Sequence, residues 1–249
     1  MFFRAKLLVF LSHFLVSVSI IALCYWLVYN AWYPDGLASA AGGSFLLKIL
    51  AISSFVSGPI LTLIILKTPK SRVQFYRDFT CIVLLQLVVI GYGVHSLFLA
   101  RPIFIVYSKG VIDVVTVVEL DQYGGLFGSG EIYSRANLFS PSHQCISLPT
   151  TLEESNKLLF SAAQGRDVQF YPRYYRDCSE LEMTERLIDV KFFSELFPGG
   201  QAAVSDSKLS ASVGFLPVRF RFGQGIRLFG SNGASMYIKL SESTNATGN

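Results

Sequence analysis

Charged side chains are scarce in this sequence. Of its 249 residues, 15% are Asp, Glu, Lys or Arg, against about 25% in an ordinary soluble domain. A chain so poor in charge, and 51% hydrophobic, is expected to keep much of its length out of water. Histidine is rarer still. His13, His95 and His143 stand far apart, whereas a zinc site needs closely spaced His or Cys ligands. No H-E-x-x-H, G-x-S-x-G or P-loop occurs, and no complete G-x-G-x-x-G. Gly128-Ser129-Gly130 and Gly223-Gln224-Gly225 are fragments of glycine-rich loops and read as turns. Acids are plentiful only in the C-terminal part, where no spacing singles out a catalytic pair. The expectation is a protein that is not an enzyme, without catalytic, metal or cofactor-binding residues.

The charge that is present is unevenly placed. Residues 1–100 contain seven of the 21 Lys/Arg (Arg4, Lys6, Lys48, Lys67, Lys70, Arg72 and Arg77) and two of the 17 acids (Asp35 and Asp78). The other fourteen cations and fifteen acids nearly balance across 101–249. The net charge of +4 therefore reflects basic membrane flanks. A nucleic-acid partner is not expected, because no basic face is concentrated on the C-terminal part.

Three apolar stretches, 7–29, 45–66 and 79–100, each exceed the roughly 20 residues a helix needs to cross about 30 Å of hydrocarbon. Lipid is thus one partner. Arg4 and Lys6 precede the first stretch, 30–44 contains no Lys or Arg, and Lys67, Lys70, Arg72 and Arg77 flank or fill the next loop. The positive-inside rule then places the N-terminus and the second loop in the cytoplasm. Residues 101–249 fall in the periplasm if the membrane is a bacterial inner membrane. Trp26, Tyr29, Trp32 and Tyr33 cluster where an interfacial aromatic belt is expected. Ala38-Ser39-Ala40 resembles a signal-peptidase site, but the preceding apolar stretch is longer than a signal peptide's, which favours an uncleaved anchor.

Polar residues within the spans require an explanation, because each is unfavourable in hydrocarbon. They include His13 in the first span, Lys48 in the second, and Gln86 and His95 in the third. Lys48 lies near an end and can snorkel to the interface. Gln86 lies mid-span and is expected to hydrogen-bond to a neighbouring helix, of this chain or of a partner. Gly58-Pro59 interrupts the second span: the proline removes a donor and kinks the helix, and the glycine admits a close neighbour.

The expected fold is therefore a membrane α-helical part, three transmembrane helices within 1–100, followed by an extracytoplasmic α+β domain over 101–240. A polar tail, 241–249, reads as disordered. Arg101-Pro102 closes the third span. Residues 103–107 and 111–120 read as a hairpin about Lys109-Gly110. The Gly-, Ser- and Tyr-rich run to Pro149 reads as loop. Thr151-x-x-Glu154 opens a helix over 152–164, stopped by Gly165. Ser179-x-x-Glu182 opens another, whose apolar stripe from Leu181 to Leu196 ends at Pro198-Gly199-Gly200. Strands follow at 213–222, 226–229 and 234–240, the last two joined by Asn232-Gly233.

Cys24 and Cys81 fall in spans and read as inert. Cys145 and Cys178 are the two in the outer domain; an oxidising compartment permits a disulfide there, two buried thiols being the alternative. The 170–178 segment, FYPRYYRDC, has the Tyr/Arg composition of interface hot spots, although an ordinary strand and loop with snorkelling arginines accounts for it too. Asn245-Ala246-Thr247 matches a glycosylation sequon in the polar tail and is discounted there.

Several short blocks follow one another in the membrane half. Trp32-Tyr33-Pro34 follows span one and Ala41-Gly42-Gly43 opens span two. Gly58-Pro59-Ile60-Leu61-Thr62-Leu63 lies within span two. Asp78, Gln86, Tyr92-Gly93 and Arg101-Pro102 mark the start, interior and end of span three. In this order and spacing the membrane half resembles the type IV pilin accessory protein family; the outer domain matches only in Phe215-Leu216-Pro217 and the last hairpin. Ser54 stands where the family usually has an aspartate, so a role for a buried carboxylate does not carry over. The resemblance implies a helper that supports a cognate major type IV pilin in the inner membrane and modulates pilus assembly and retraction, together with other pilus machinery. Ser54, Gly58, Pro59, Gln86, Tyr92 and Arg101 are the candidate partner-binding residues. The alternative is an envelope sensor or regulatory membrane subunit that binds a ligand or protein in the periplasm.

Overall fold

The computed structural model describes residues 2–67, 71–122, 137, 139–197 and 212–240. The tail 241–249 with its sequon, Lys70, Gly128-Ser129-Gly130 and Pro198-Gly199-Gly200 lie outside the described residues. The chain divides into two units. Unit one comprises Met1–Asn30 and Gly43–Leu99, and unit two Ala31–Gly42 and Ala100–Asn249. The segment between the first two long helices, grouped by sequence with the membrane part, therefore belongs with the C-terminal sheet.

Unit one is helical. Helix α1, Phe2–Leu27, runs on through a π-helical turn, Val28–Trp32, whose last residues already belong to unit two. Helix α3, Gly43–Phe55, continues through a second π turn, Val56–Ile60, into α4, Leu61–Lys67. Helix α5 spans Arg72–Ala100 and ends where Pro102 forbids another turn. Three stretches, Leu7–Trp32, Gly43–Ile65 and Arg72–Ala100, are long and apolar enough to cross a membrane. The third helix begins seven residues before the apolar run at Phe79, because Arg72 to Asp78 form its polar first turns. Leu8, Leu15, Leu23, Ile52 and Val88 point outward, an arrangement suited to lipid and unfavourable in water. Lys48 and His95 are also on the outside of their helices. The chain meets Pro59 with a π turn, a local widening in which the missing donor is absorbed.

Unit two is built on an eight-stranded mixed sheet. Strands β1 (Pro102–Ser108) and β2 (Val111–Thr116) form the expected hairpin, with Lys109 and Gly110 at positive φ in its turn. Strand β3 (Ser142–Ile146) pairs parallel to β1, and β4 (Tyr175–Asp177) antiparallel to β3. On the other side β6 (Ser212–Phe220) pairs parallel to β2, followed by the antiparallel β7 (Gly223–Gly230) and β8 (Ser235–Lys239). The order is β4-β3-β1-β2-β6-β7-β8, with the two-residue β5 (Ile188–Asp189) also paired to β6. Strand β1 is buried along almost its whole length. This explains why it reads as an unbroken apolar run, where a strand with one wet face would alternate. Phe193, Phe215, Ile226, Leu228 and Leu240 form one core cluster, and Leu158, Val168 and Tyr174 another beneath helix α7 (Leu152–Ala163).

Four expectations are corrected. The second strand stops at Thr116, and Val117–Gln122 forms a short helix, α6. Glu119 reaches back to accept the Thr116 backbone N–H at 2.9 Å, so Thr116-x-x-Glu119 is a helix start within a β-rich run. The run before Pro149 contains β3. The helix expected from Leu181 to Leu196 is broken into α8 (Glu180–Thr184), β5 and α9 (Phe193–Leu196), because Ile188 and Asp189 pair with Phe215 and Gly214. Strand β6 ends at Phe220, since Arg221 and Phe222 make the two-residue turn into β7.

The short helix α2 (Leu37–Ala40) covers β8. Tyr237 donates its backbone N–H to the Asp35 carbonyl at 2.9 Å. Asp35 and Gly36 both have positive φ there, and a side chain at Gly36 would lie 3.2 Å from the Tyr237 carbonyl. Trp32 and Tyr33 are buried, whereas Trp26 is exposed. Cys145 and Cys178 are joined by a disulfide with their Cα atoms 4.9 Å apart, which ties β3 to the residue after β4. Cys24 is buried and Cys81 exposed, both as free thiols.

Candidate functional site

Among the apolar helices of unit one, four polar side chains meet. His13 of α1 stands between Thr62 of α4 and Gln86 of α5. Its Nδ1 lies 2.8 Å from Thr62 Oγ1, and its Nε2 bonds to Gln86 Oε1. Gln86 Nε2 donates to Ser17 Oγ at 2.7 Å, and Ser17 donates onward to the His13 carbonyl at 2.8 Å. With the amide oxygen of Gln86 facing Nε2, that nitrogen carries the ring proton, and Nδ1 accepts from the Thr62 hydroxyl. Each group in the ring then has a partner. Such closure is what hydrocarbon demands of buried polar atoms.

The second span is shaped to this cluster. Gly58, in the π turn, faces Gln86 so closely that a Cβ there would lie 2.3 Å from Oε1. Ser57, Gly58 and Pro59 are all buried. One turn earlier, Ser54 is 1% exposed; its hydroxyl and that of Ser57 have no hydrogen-bond partner among the described residues. Phe79 packs edge-on against the His13 ring at 5.6 Å. A groove of about 250 Å³ runs past His13, Phe79, Val83 and Gln86.

Of the residues singled out by sequence, Ser54, Gly58, Pro59 and Gln86 therefore lie together. Gln86 uses its amide within this chain, and Gly58 makes room for that amide. Tyr92 lies elsewhere: it is 74% exposed and lines a second, larger apolar groove of about 540 Å³ between α3 and α5, with Leu46, Leu50, Val89 and Gly93. Arg101 belongs to unit two. Its guanidinium lies 5.9 Å from the Trp32 ring centroid and donates to the Asn137 carbonyl at 3.4 Å. Burial pushes its pKa down, against the opposing pull of Tyr33. His13 is the centre of the cluster and was not among the sequence-derived site residues, nor were Ser17 and Thr62. The signal was present: Ser17 lies four residues after His13 and Thr62 four after Gly58, one helical turn in each case.

In unit two, Asp113 of β2 accepts a two-pronged ion pair from Arg219 of β6, at 2.6 and 2.8 Å. Burial raises the Asp113 carboxyl, opposed by Arg219. Arg176 holds Glu182 through both terminal nitrogens, one at 2.9 Å. Glu182 lies within reach of Cys145 and Cys178; the sulfurs, however, are bonded to each other and offer no thiolate for a metal.

No protein-family profile matches the chain, and no solved structure is significantly similar to it. Curated relatives are found in Dichelobacter nodosus. The chain is 30% identical to the fimbrial assembly protein of serogroups C1 and C2 over 104 residues, 42% of this chain and 79% of that one. It is 31% identical to the fimbrial assembly protein of serogroup I and 28% to that of serogroup E1, in each case over 104 residues and 40% of the relative. Most of the first relative, and two-fifths of the other two, thus has a counterpart here, and the chain belongs to the family of fimbrial assembly proteins.

Proposed function

We propose that this protein is a type IV pilin accessory protein of the bacterial inner membrane. It supports a cognate major pilin there and modulates pilus assembly and retraction, without catalysing a reaction. The observation that carries this reading is the relationship to fimbrial assembly proteins over 104 residues. The architecture suits the task. A pilin awaiting assembly has an apolar helix in the bilayer and a head outside it. A helper with spans and an outer domain touches both, and the linked contacts reinforce one another through effective concentration. The basic loop between the second and third spans faces the cytoplasm and unit two the periplasm, in keeping with the positive-inside rule.

Within the membrane the His13–Gln86 cluster holds the helper's own helices together, and the groove beside Tyr92 and Gly93 is the face offered to the pilin helix. Its walls, formed by Leu46, Leu50, Val88 and Val89, are apolar and suit packing against another helix. A photocrosslinker at Tyr92 is expected to capture the cognate major pilin. Capture of lipid alone, with pilin present, overturns the docking face. Deleting the gene is expected to abolish surface pili while pilin is still made, and unchanged piliation overturns the function.

A further inference from the structure

Unit two contains a polar pocket of about 290 Å³ next to the disulfide. Tyr107, Lys109, Arg176, Glu182, Glu185 and Arg186 line it. Tyr107, near the end of β1, is 7% exposed, and its hydroxyl has no hydrogen-bond partner among the described residues. A buried hydroxyl is rarely left without a partner, and one on a pocket wall is a donor awaiting an acceptor. Burial also raises the phenol's pKa, so it keeps its proton at neutral pH.

The charges select what enters. Arg176 and Glu182 satisfy each other. Lys109 and Arg186 make no ion pair among the described residues, and both are exposed at the rim. Set against Glu185, they leave the pocket one positive charge. That balance suits a single carboxylate. A phosphate dianion would overshoot it, in a pocket that already has two carboxylates on its walls. Glu185 can accept an N–H adjoining the bound carboxylate, as a peptide backbone provides. The volume lies at the small end of ligand pockets and admits about one residue.

We propose that this pocket binds a monoanionic carboxylate presented by a polypeptide, held by Arg186, Lys109 and the Tyr107 hydroxyl. Cys145 forms part of the wall, and its bond to Cys178 fixes the segment that carries Arg176. The site is independent of the groove beside Tyr92 and does not rest on the pilus reading.

The test is a titration of the isotope-labelled full chain in detergent micelles, read by amide NMR. Three probes are used: a hexapeptide with blocked ends and one central glutamate, its glutamine counterpart, and acetate, a free acid of single charge without an adjoining N–H. The glutamate peptide is expected to give saturable shifts at 107–109 and 145–146, with binding at least about tenfold tighter than the free acid. Arg186→Gln and Tyr107→Phe should each weaken it by roughly tenfold, the scale of one charge-assisted hydrogen bond. Arg186 is exposed and the Tyr107 hydroxyl is unpartnered, so neither change should disturb the remaining spectrum. Equal binding of the free acid overturns the polypeptide source. Equal binding of the glutamine peptide, or no saturable shift from any probe, overturns the site.

Discussion

At the scale of single residues, the tightest constraint is Gly58. A methyl group there would meet Gln86 Oε1 at 2.3 Å, and Gln86 cannot withdraw without releasing His13 and Ser17. Gly58→Ala is expected to destabilise unit one by roughly 2–3 kcal/mol, an overpacking effect plus a weakened hydrogen-bond network. Denaturant unfolding in micelles measures it. In the double variant with Gln86→Ala the two effects should fall short of additive by about 1 kcal/mol or more, since the shorter side chain vacates the contested space. Gly93→Ala is a useful contrast. Its new methyl would meet Leu50 Cδ1 at 2.5 Å, the far end of a flexible side chain, so the loss should stay below about 1.5 kcal/mol. Glu182 gives a pH test. The hydrogen bond from Arg176 holds its carboxyl below the usual range, so the folded value lies under the unfolded one. Its contribution is complete above the unfolded value and is lost as pH falls through the folded value. Arg176→Gln should remove that part of the acid limb in a stability-versus-pH series. Gly58 and Gln86 could be picked out from sequence because glycine beside proline and an amide in hydrocarbon are conspicuous. Ser17 and Thr62 were legible only as one-turn neighbours of His13 and Gly58, because hydroxyls are common in membrane helices and only the packing shows which ones face His13.

At the scale of elements, local signals were readable where the partner was also local. The hairpin at Lys109-Gly110, the helix after Thr151 and the β7–β8 turn at Asn232-Gly233 form where turn residues or an N-cap threonine stand beside periodic apolar runs, although the Thr151 hydroxyl caps no backbone N–H. Strand β3 is different, because its partner β1 lies some forty residues away and the pairing is parallel. Likewise the stripe between Leu181 and Leu196 has helical spacing, yet Ile188 and Asp189 are claimed by β6 across a long interval. Helix α6 rests on Glu119, so Glu119→Ala should destabilise unit two by about 1 kcal/mol, the scale of a lost cap. The disulfide closes a loop with a sequence separation of 33. Reducing it, or replacing both cysteines by serine, should cost up to about 4 kcal/mol by loop entropy. Calorimetry of the oxidised and reduced protein provides the comparison.

At the scale of the whole molecule, hydropathy revealed the three long helices, but not that residues 31–42 join the C-terminal sheet. That contact bears on topology. Asp35 precedes the second and third long helices, and Tyr237 follows both, yet the two are hydrogen-bonded. Two crossings return the chain to the side it left, so a phosphatase reporter inserted at 38–39 and one fused after Leu240 should give the same readout. Opposite readouts would contradict the fold. Assembly in time is also affected. The ribosome releases Asp35 about two hundred residues before the strand it covers. Until the last hairpin arrives, the early segment has no sheet to lie against, and the nascent domain remains open and vulnerable to proteases. Once closed, α2 shields the outer border of β8 from pairing with other chains, so a crowded envelope cannot add a stray strand there.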